Sequence, residues 1–131
     1  MNPISPEGVV EQMLGHAAAG RWDDLAHVLA EDFVIVEPDS LPYGGSHRGH
    51  DGYVKLMQQI GELFDLEFEP LRLHALDEGT VLLHMRVTFS ARGSANAVTL
   101  PVLELLDVEH GRVKRSEVYL SDTAALLRAL E

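Results

Sequence analysis

Thr80-Val81-Leu82-Leu83-His84-Met85-Arg86-Val87-Thr88-Phe89-Ser90-Ala91-Arg92 repeats with a period of two. Val81, Leu83, Met85, Val87 and Phe89 share one face, and Leu82, His84, Arg86, Thr88 and Ser90 share the other. A strand with one apolar and one polar face belongs to a sheet covered on one side only, which is the antiparallel habit. Asp77-Glu78-Gly79 before it and Gly93-Ser94 after it are turn signals. They join it to a strand over residues 66–76 and another over residues 95–108. Glu109-His110-Gly111 turns the chain again into a last strand over residues 113–120. The alternation of residues 66–76 slips at Pro70, as at a bulge or an edge position. Asp122 can cap a closing helix over residues 123–130.

Upstream of these strands the period is helical. Ser5 is placed to cap a helix with Pro6 at its first position. Val9, Val10, Met13, Leu14 and Ala17 form its apolar face, and Gly20 ends it. A second short helix carries Trp22, Leu25, Ala26 and Leu29 on one side. Residues 33–37 read as a strand. Residues 38–52 hold two Pro and four Gly and read as one long loop. Tyr53, Leu56, Met57, Ile60, Leu63 and Phe64 then give a third amphipathic helix. Helices first and hairpins after indicate an α+β fold. The expected architecture is a cone: a curved antiparallel sheet of four to six strands wrapped over three N-terminal helices, with a short C-terminal helix.

The 131 residues suit a single domain, residues 1–131. The composition, 46% hydrophobic and 24% charged, is that of a globular chain. Ten Lys and Arg against 21 Asp and Glu give a net charge of −11, which opposes binding to nucleic acid or an anionic membrane surface. No apolar run approaches the roughly 20 residues of a membrane span. No signal segment is visible, so a cytoplasmic location is expected. The absence of cysteine excludes disulfides, thiolate zinc sites and a Cys nucleophile. The seven His residues show no metal-ligand spacing; His47 and His50 are three apart across a Gly, and His74 and His84 lie on different strands. No metal or cofactor is expected.

Several segments, in this order, resemble the nuclear transport factor 2-like superfamily, which includes ketosteroid isomerases, SnoaL-like polyketide cyclases and limonene epoxide hydrolases. Val9-Val10 through Ala19-Gly20-Arg21-Trp22-Asp23 is similar to its first helix and bend. Leu29-Ala30-Glu31-Asp32-Phe33-Val34-Ile35-Val36-Glu37-Pro38 is similar to its second helix and first strand. Tyr43-Gly44-Gly45-Ser46-His47-Arg48-Gly49-His50-Asp51-Gly52 resembles the loop entering the third helix. Val118-Tyr119-Leu120-Ser121-Asp122-Thr123-Ala124-Ala125-Leu126-Leu127 resembles the end of SnoaL-like members. The resemblance implies the cone fold and a pocket within it. It does not imply one activity, because the fold hosts many.

Glu37 is the first candidate for chemistry. With Phe33 and Ile35 facing inward, the strand period puts Glu37 on the same face, where burial raises a carboxyl toward neutral pH. The resemblance places Glu37, just before Pro38, on the general-base position of the isomerases. The same ungapped count puts Met13 and Leu103 where those enzymes carry a Tyr and a protonated Asp. Neither can supply a hydrogen bond of that strength, so steroid isomerisation is not expected. The Asp-Arg-Asp set of the epoxide hydrolases has no convincing copy. The count also points Glu104 and Glu117 outward, toward water or an interface. The expected pocket wall is Met13, Ile35, Met85, Val87, Phe89, Leu103, and Val118 or Leu120. Asp39, Tyr43 and His47 would contact a ligand from the long loop at the mouth, with Tyr43 polarising a substrate carbonyl. Trp22 reads as a core residue.

Three functions remain open: cofactor-independent acid–base catalysis, of isomerase or cyclase type, on a hydrophobic carbonyl or polyketide-like molecule; non-catalytic binding of an apolar ligand; and a dimeric scaffold. A homodimer is expected through the convex face of the sheet. That face is read as Leu82, His84, Arg86, Thr88 and Ser90 on one strand and Val98, Leu100, Val102, Glu104 and Leu106 on the next, with Arg86 and Glu104 pairing across a two-fold axis.

Overall fold

The strand read first is β4 (Thr80–Ala91) in a computed structural model that describes residues 4–131. Its alternation is as written in the sequence: Val81, Leu83, Met85, Val87 and Phe89 are buried and Arg86 is exposed. β3 (Phe64–Ala75) precedes it and β5 (Ala97–Glu109) and β6 (Arg112–Leu120) follow. The carboxylate of Asp77 accepts from the Gly79 and Thr80 amides and ties the first hairpin. The pairing of β3 with β4 shifts register between Pro70 and Arg72, and β3 is the sheet's outer strand. Pro70 therefore sits where a missing N–H is tolerated.

α1 (Pro6–Ala19) starts at Ser5, whose hydroxyl accepts from the Gly8 amide, and stops at Gly20 in the left-handed conformation. α2 (Trp22–Leu25) is one turn long. Leu29, expected on that helix, instead opens β1 (Leu29–Glu37) and pairs with Val113. β2 (Gly45–Arg48) lies inside the stretch expected to be loop. It is a four-residue outer strand with a polar sequence and no apolar alternation, so it left no periodic signal. α3 (Gly49–Leu63) then crosses the sheet, and α4 (Thr123–Ala129) closes the chain under the Asp122 cap.

Among the described residues six strands lie in the order β2-β1-β6-β5-β4-β3. The expectation of an all-antiparallel sheet needs one correction. β1 and β6 run parallel, because the chain leaves β1 through β2 and α3 and returns to its side only after the β3–β5 meander. The sheet is mixed, open and curved, and the helices fill its concave side. Phe33, Phe64, Met13, Leu25, Leu56, Leu83 and Leu106 are fully buried there. Edge-on ring contacts, Phe33 with Tyr53 and Phe64 with Phe89, lock α3 and β4 into that layer.

The face of β5 is also corrected. Leu100, Val102, Glu104 and Leu106 are buried, while Thr99, Pro101, Leu103 and Asp107 are exposed. Pairing decides this: Val87 lies opposite Leu100, Met85 opposite Val102 and Leu83 opposite Glu104, so the apolar rows of β4 and β5 share one side. The apolar convex patch expected from Val98 to Leu106 is on the concave side. Its outer counterpart is Pro101, Leu103 and Leu105, beside Tyr119 of β6. Among the described residues no helix is long and apolar enough to cross a membrane.

Candidate functional site

A cavity of about 440 Å³ lies between the concave sheet and helices α1 and α3. α1 contributes Leu14, Gly15, Ala17 and Ala18, and α3 contributes Tyr53, Met57 and Ile60. The sheet contributes a residue from every strand from β1 to β3 through β6, β5 and β4. Where β3 meets α1, Phe68 is 54% exposed although it lines the cavity, which marks the mouth.

Of the residues expected at the site, Ile35 and Glu37 of β1, Tyr43, and Met85, Val87 and Phe89 of β4 line the cavity. Val118 and Leu120 of β6 both line it. Met13 does not; it is fully buried in the core behind the wall, because its neighbours Leu14 and Ala17 take the cavity side of α1. Leu103 does not; it is 41% exposed on the outer face. Asp39 is exposed and lines a separate outer cleft. His47 stands on β2, where its Nε2–H donates to the Tyr43 carbonyl at 2.7 Å and holds the loop that presents Tyr43. Trp22 is half-buried against the core and its carbonyl accepts from His50 at 2.7 Å.

Two polar cavity residues, Glu104 and Tyr53, went unrecognised in the sequence as site residues, as did the wall that α1, α3 and β3 contribute. Glu104 is on the wall because β5 is shifted by one residue from the ungapped count. The signal was available: Thr99, Pro101 and Asp107 cannot all face the core, so Leu100, Val102 and Leu106 must, and Glu104 goes with them. Tyr53 lay on the apolar face of α3, a position that reads equally as core.

The polar groups gather at one end. Val36 pairs with Glu117 and Glu104 pairs with Val118, so Glu37 and Glu104 flank Val118 from the two neighbouring strands. Glu37 is 6% exposed and Glu104 is 7% exposed. Burial raises the Glu37 carboxyl to about 8, and the nearby Glu104 charge adds to the effect. Glu104 is raised by burial too, against the pull of Ser116, whose Oγ–H donates to Glu104 Oε1. Tyr43 is raised above its ordinary value by burial and by Glu37, and Tyr53 by burial and by both carboxyls. Burial favours the uncharged form of each of these four groups, two carboxyls and two phenols that line an apolar space. Among the described residues, no three His, Asp or Glu side chains are gathered as a metal ion would need.

The profile of the SnoaL-like domain family matches residues 10–116. The chain belongs to that family, and its fold is nuclear transport factor 2-like. An NTF2-like protein from Burkholderia xenovorans LB400 superposes with a TM-score of 0.89 at 24% identity, covering 100% of this chain and 99% of that one. TerC, co-crystallised with polyporic acid, gives 0.80 at 18% identity over 96% and 98% of the two chains. A putative polyketide cyclase from Xanthomonas campestris pv. campestris gives 0.79 at 19% identity over 96% of each. No curated protein matches the sequence.

Proposed function

We propose that the chain takes an elongated apolar carbonyl or polyketide-like molecule into the cavity and moves a proton on it without a cofactor. The observation that carries this is Glu37: a buried carboxyl, raised to about 8, with no side-chain hydrogen-bond partner among the described residues, on the wall of an apolar cavity. Its ionised form is a strong base in such surroundings. Tyr43, and with it Glu104 in the uncharged form that burial favours, donates to the substrate oxygen and steadies the charge that forms there. Glu104 supplies a late-strand acid where the ungapped count had offered only Leu103. The likeness to a putative polyketide cyclase and to TerC, crystallised with polyporic acid, supports the substrate class.

Deuterium exchange tests this on benzylacetone, a hydrophobic ketone, followed by NMR in D₂O. Wild-type protein is expected to speed exchange beside the carbonyl, with a rate that climbs with pH and levels above about 8, as Glu37 ionises. Glu37→Gln is expected to bind the ketone and lose the rate. Bound ketone exchanging at the buffer rate overturns catalysis and leaves the second reading, a carrier. The apolar α1 wall, which offers no hydroxyl, favours that reading.

The same proposal takes residues 1–131 as one domain in the cytoplasm, paired as a homodimer through the outer face of the sheet. Exposed Leu103 and Tyr119, opposite one another on β5 and β6, support that face. Sedimentation equilibrium at micromolar concentration checks it. A 14.4 kDa species refutes the dimer, and a Leu103→Asp variant that stays dimeric refutes the face.

A further inference from the structure

Two acids and two phenols close the deep end of the cavity, yet among its lining residues there is no Lys, Arg or His. Other acids of the sheet meet a cation or a donor. On the outer face Glu69 pairs with Arg86 and Glu117 with Arg115, and Ser116 serves Glu104. Glu37 alone of the buried acids has no such partner. We propose that the cavity is also a binding site for elongated hydrophobic amines, with the ammonium group held by Glu37 and Glu104 and the apolar body running toward Phe68. This goes beyond carbonyl chemistry but rests on the same reading of the cavity as a small-molecule site.

The geometry suits a cation at one end only. Glu37 and Glu104 sit two strands apart at one level, their Cα atoms roughly 10 Å apart, and the concave curvature turns both side chains toward the space over Val118. Tyr53 and Tyr43 line the same cavity and offer aromatic rings to a cation. From Glu104 to the mouth is two strand spacings and one residue pair to Pro70, about 12 Å, or two residue pairs to Phe68, about 17 Å. A ligand with a charged head and an apolar body of that length fills the cavity without burying its head in hydrocarbon.

An empty cavity favours neutral acids; an arriving ammonium reverses the preference, since an opposite charge favours the ionised form. The groups around Glu37 are Glu104, Tyr43 and Tyr53 inside, with Asp39, Glu117, Tyr119 and Thr123 across the outer cleft that Glu37 also lines. None inside is a cation, so the ligand supplies the only positive charge there. Binding at pH 7 therefore releases the Glu37 proton, about 0.9 equivalents for a group near 8.

Three probes of one shape separate the possibilities: N,N-dimethylphenethylamine, isopentylbenzene and benzylacetone. Each is titrated into the wild-type protein by calorimetry at pH 7 in two buffers of different ionisation enthalpy. The amine is expected to bind about tenfold or more tighter than the hydrocarbon, as charged hydrogen bonds allow. It is expected to release close to one proton. In Glu37→Gln both the advantage and the proton release are expected to disappear, while the hydrocarbon binds as before. Ketone and hydrocarbon binding without an advantage for the amine overturns this inference and leaves the proposed function standing. If none of the three binds, both fall.

Discussion

Glu104 and Glu117 are the same side chain on neighbouring strands, and their environments push them in opposite directions. Glu104 of β5 faces the cavity, where burial raises it. Glu117 of β6 faces outward and receives the Tyr119 hydroxyl and the Arg115 Nε–H, the latter at 2.8 Å, which lower it. The tyrosines divide in cause as well. Tyr43 and Tyr53 are raised first by burial, whereas Tyr119 is raised because Glu117 holds its proton. The face of the sheet, more than the residue type, decides whether a carboxyl is available as an acid near neutral pH. The two faces also differ in how their groups are served: donors and cations outside, mostly apolar walls inside.

The largest effect follows from the side of β5 that is buried. Leu106→Ala should cost roughly 2–5 kcal/mol in urea unfolding, since the side chain is fully buried. Leu103→Ala, on the outer face, should cost about 1 kcal/mol or less in the monomer. The reverse ranking would restore the one-residue-shifted register and remove Glu104 from the cavity.

Next in size is the pH dependence of stability. An acid raised on folding gives its full stability below its unfolded value of 4.5, and that stability drains as pH climbs toward the folded value of about 8. Between pH 4.5 and 7 the Glu37 share of the loss is about 3 kcal/mol. Glu37→Gln removes that share. Its stability should match the wild type near pH 4 and exceed it at pH 8. Parallel stability curves from pH 4 to 8 would show that Glu37 ionises as it does in water, and the contrast between the two faces would collapse.

Much of the fold was legible because the relevant signals are local. The caps at Ser5 and Asp122, the stop at Gly20, the turn at Asp77 and the slip at Pro70 each depend on a few adjacent residues. The alternation of β4 was legible because its outer row is polar. β2 was hidden because four polar residues on an outer strand have no period. The parallel pairing of β1 and β6 was hidden because it joins segments some eighty residues apart. Glu37 could be placed on the inner face from Phe33 and Ile35 alone. Glu104 could not be placed by counting from α1, since the long loop and the bulge in β3 break any ungapped register. The polar row of Thr99, Pro101 and Asp107 on β5 itself, and the pairing of β5 with β4, fix it instead. Met13 failed for a similar reason: a helix against a core has two inward directions, and only one of them opens on the cavity.

A smaller effect is expected at Ser116. Its hydroxyl is fully buried and donates to Glu104, the one donor that opposes the rise caused by burial. Ser116→Ala should cost roughly 1–3 kcal/mol by leaving that oxygen without its donor. It should also move the Glu104 carboxyl further up, seen by carbon-detected NMR titration. Unchanged Glu104 titration in the variant would mean that burial alone sets its behaviour.

The smallest effect is expected on the outer face, and it isolates the contrast most directly. Tyr119 is 48% exposed and gives its hydroxyl proton to Glu117, so Tyr119→Phe removes a donor from a solvated carboxylate while leaving the ring in place. Glu117 should then titrate closer to an ordinary glutamate, since Arg115 still donates to its other oxygen. Stability should change by less than about 1 kcal/mol, because water replaces the lost partner. Deuterium exchange into benzylacetone should be untouched, as neither Glu117 nor Tyr119 lines the main cavity. The matching change inside, Tyr43→Phe, removes a donor that water does not replace once the cavity is filled, and should slow exchange by roughly 10- to 100-fold if Tyr43 holds the substrate oxygen. Equal effects of the two substitutions on exchange would mean that the hydroxyls act through the sheet as a whole, and the separation of its two faces would lose its chemical meaning.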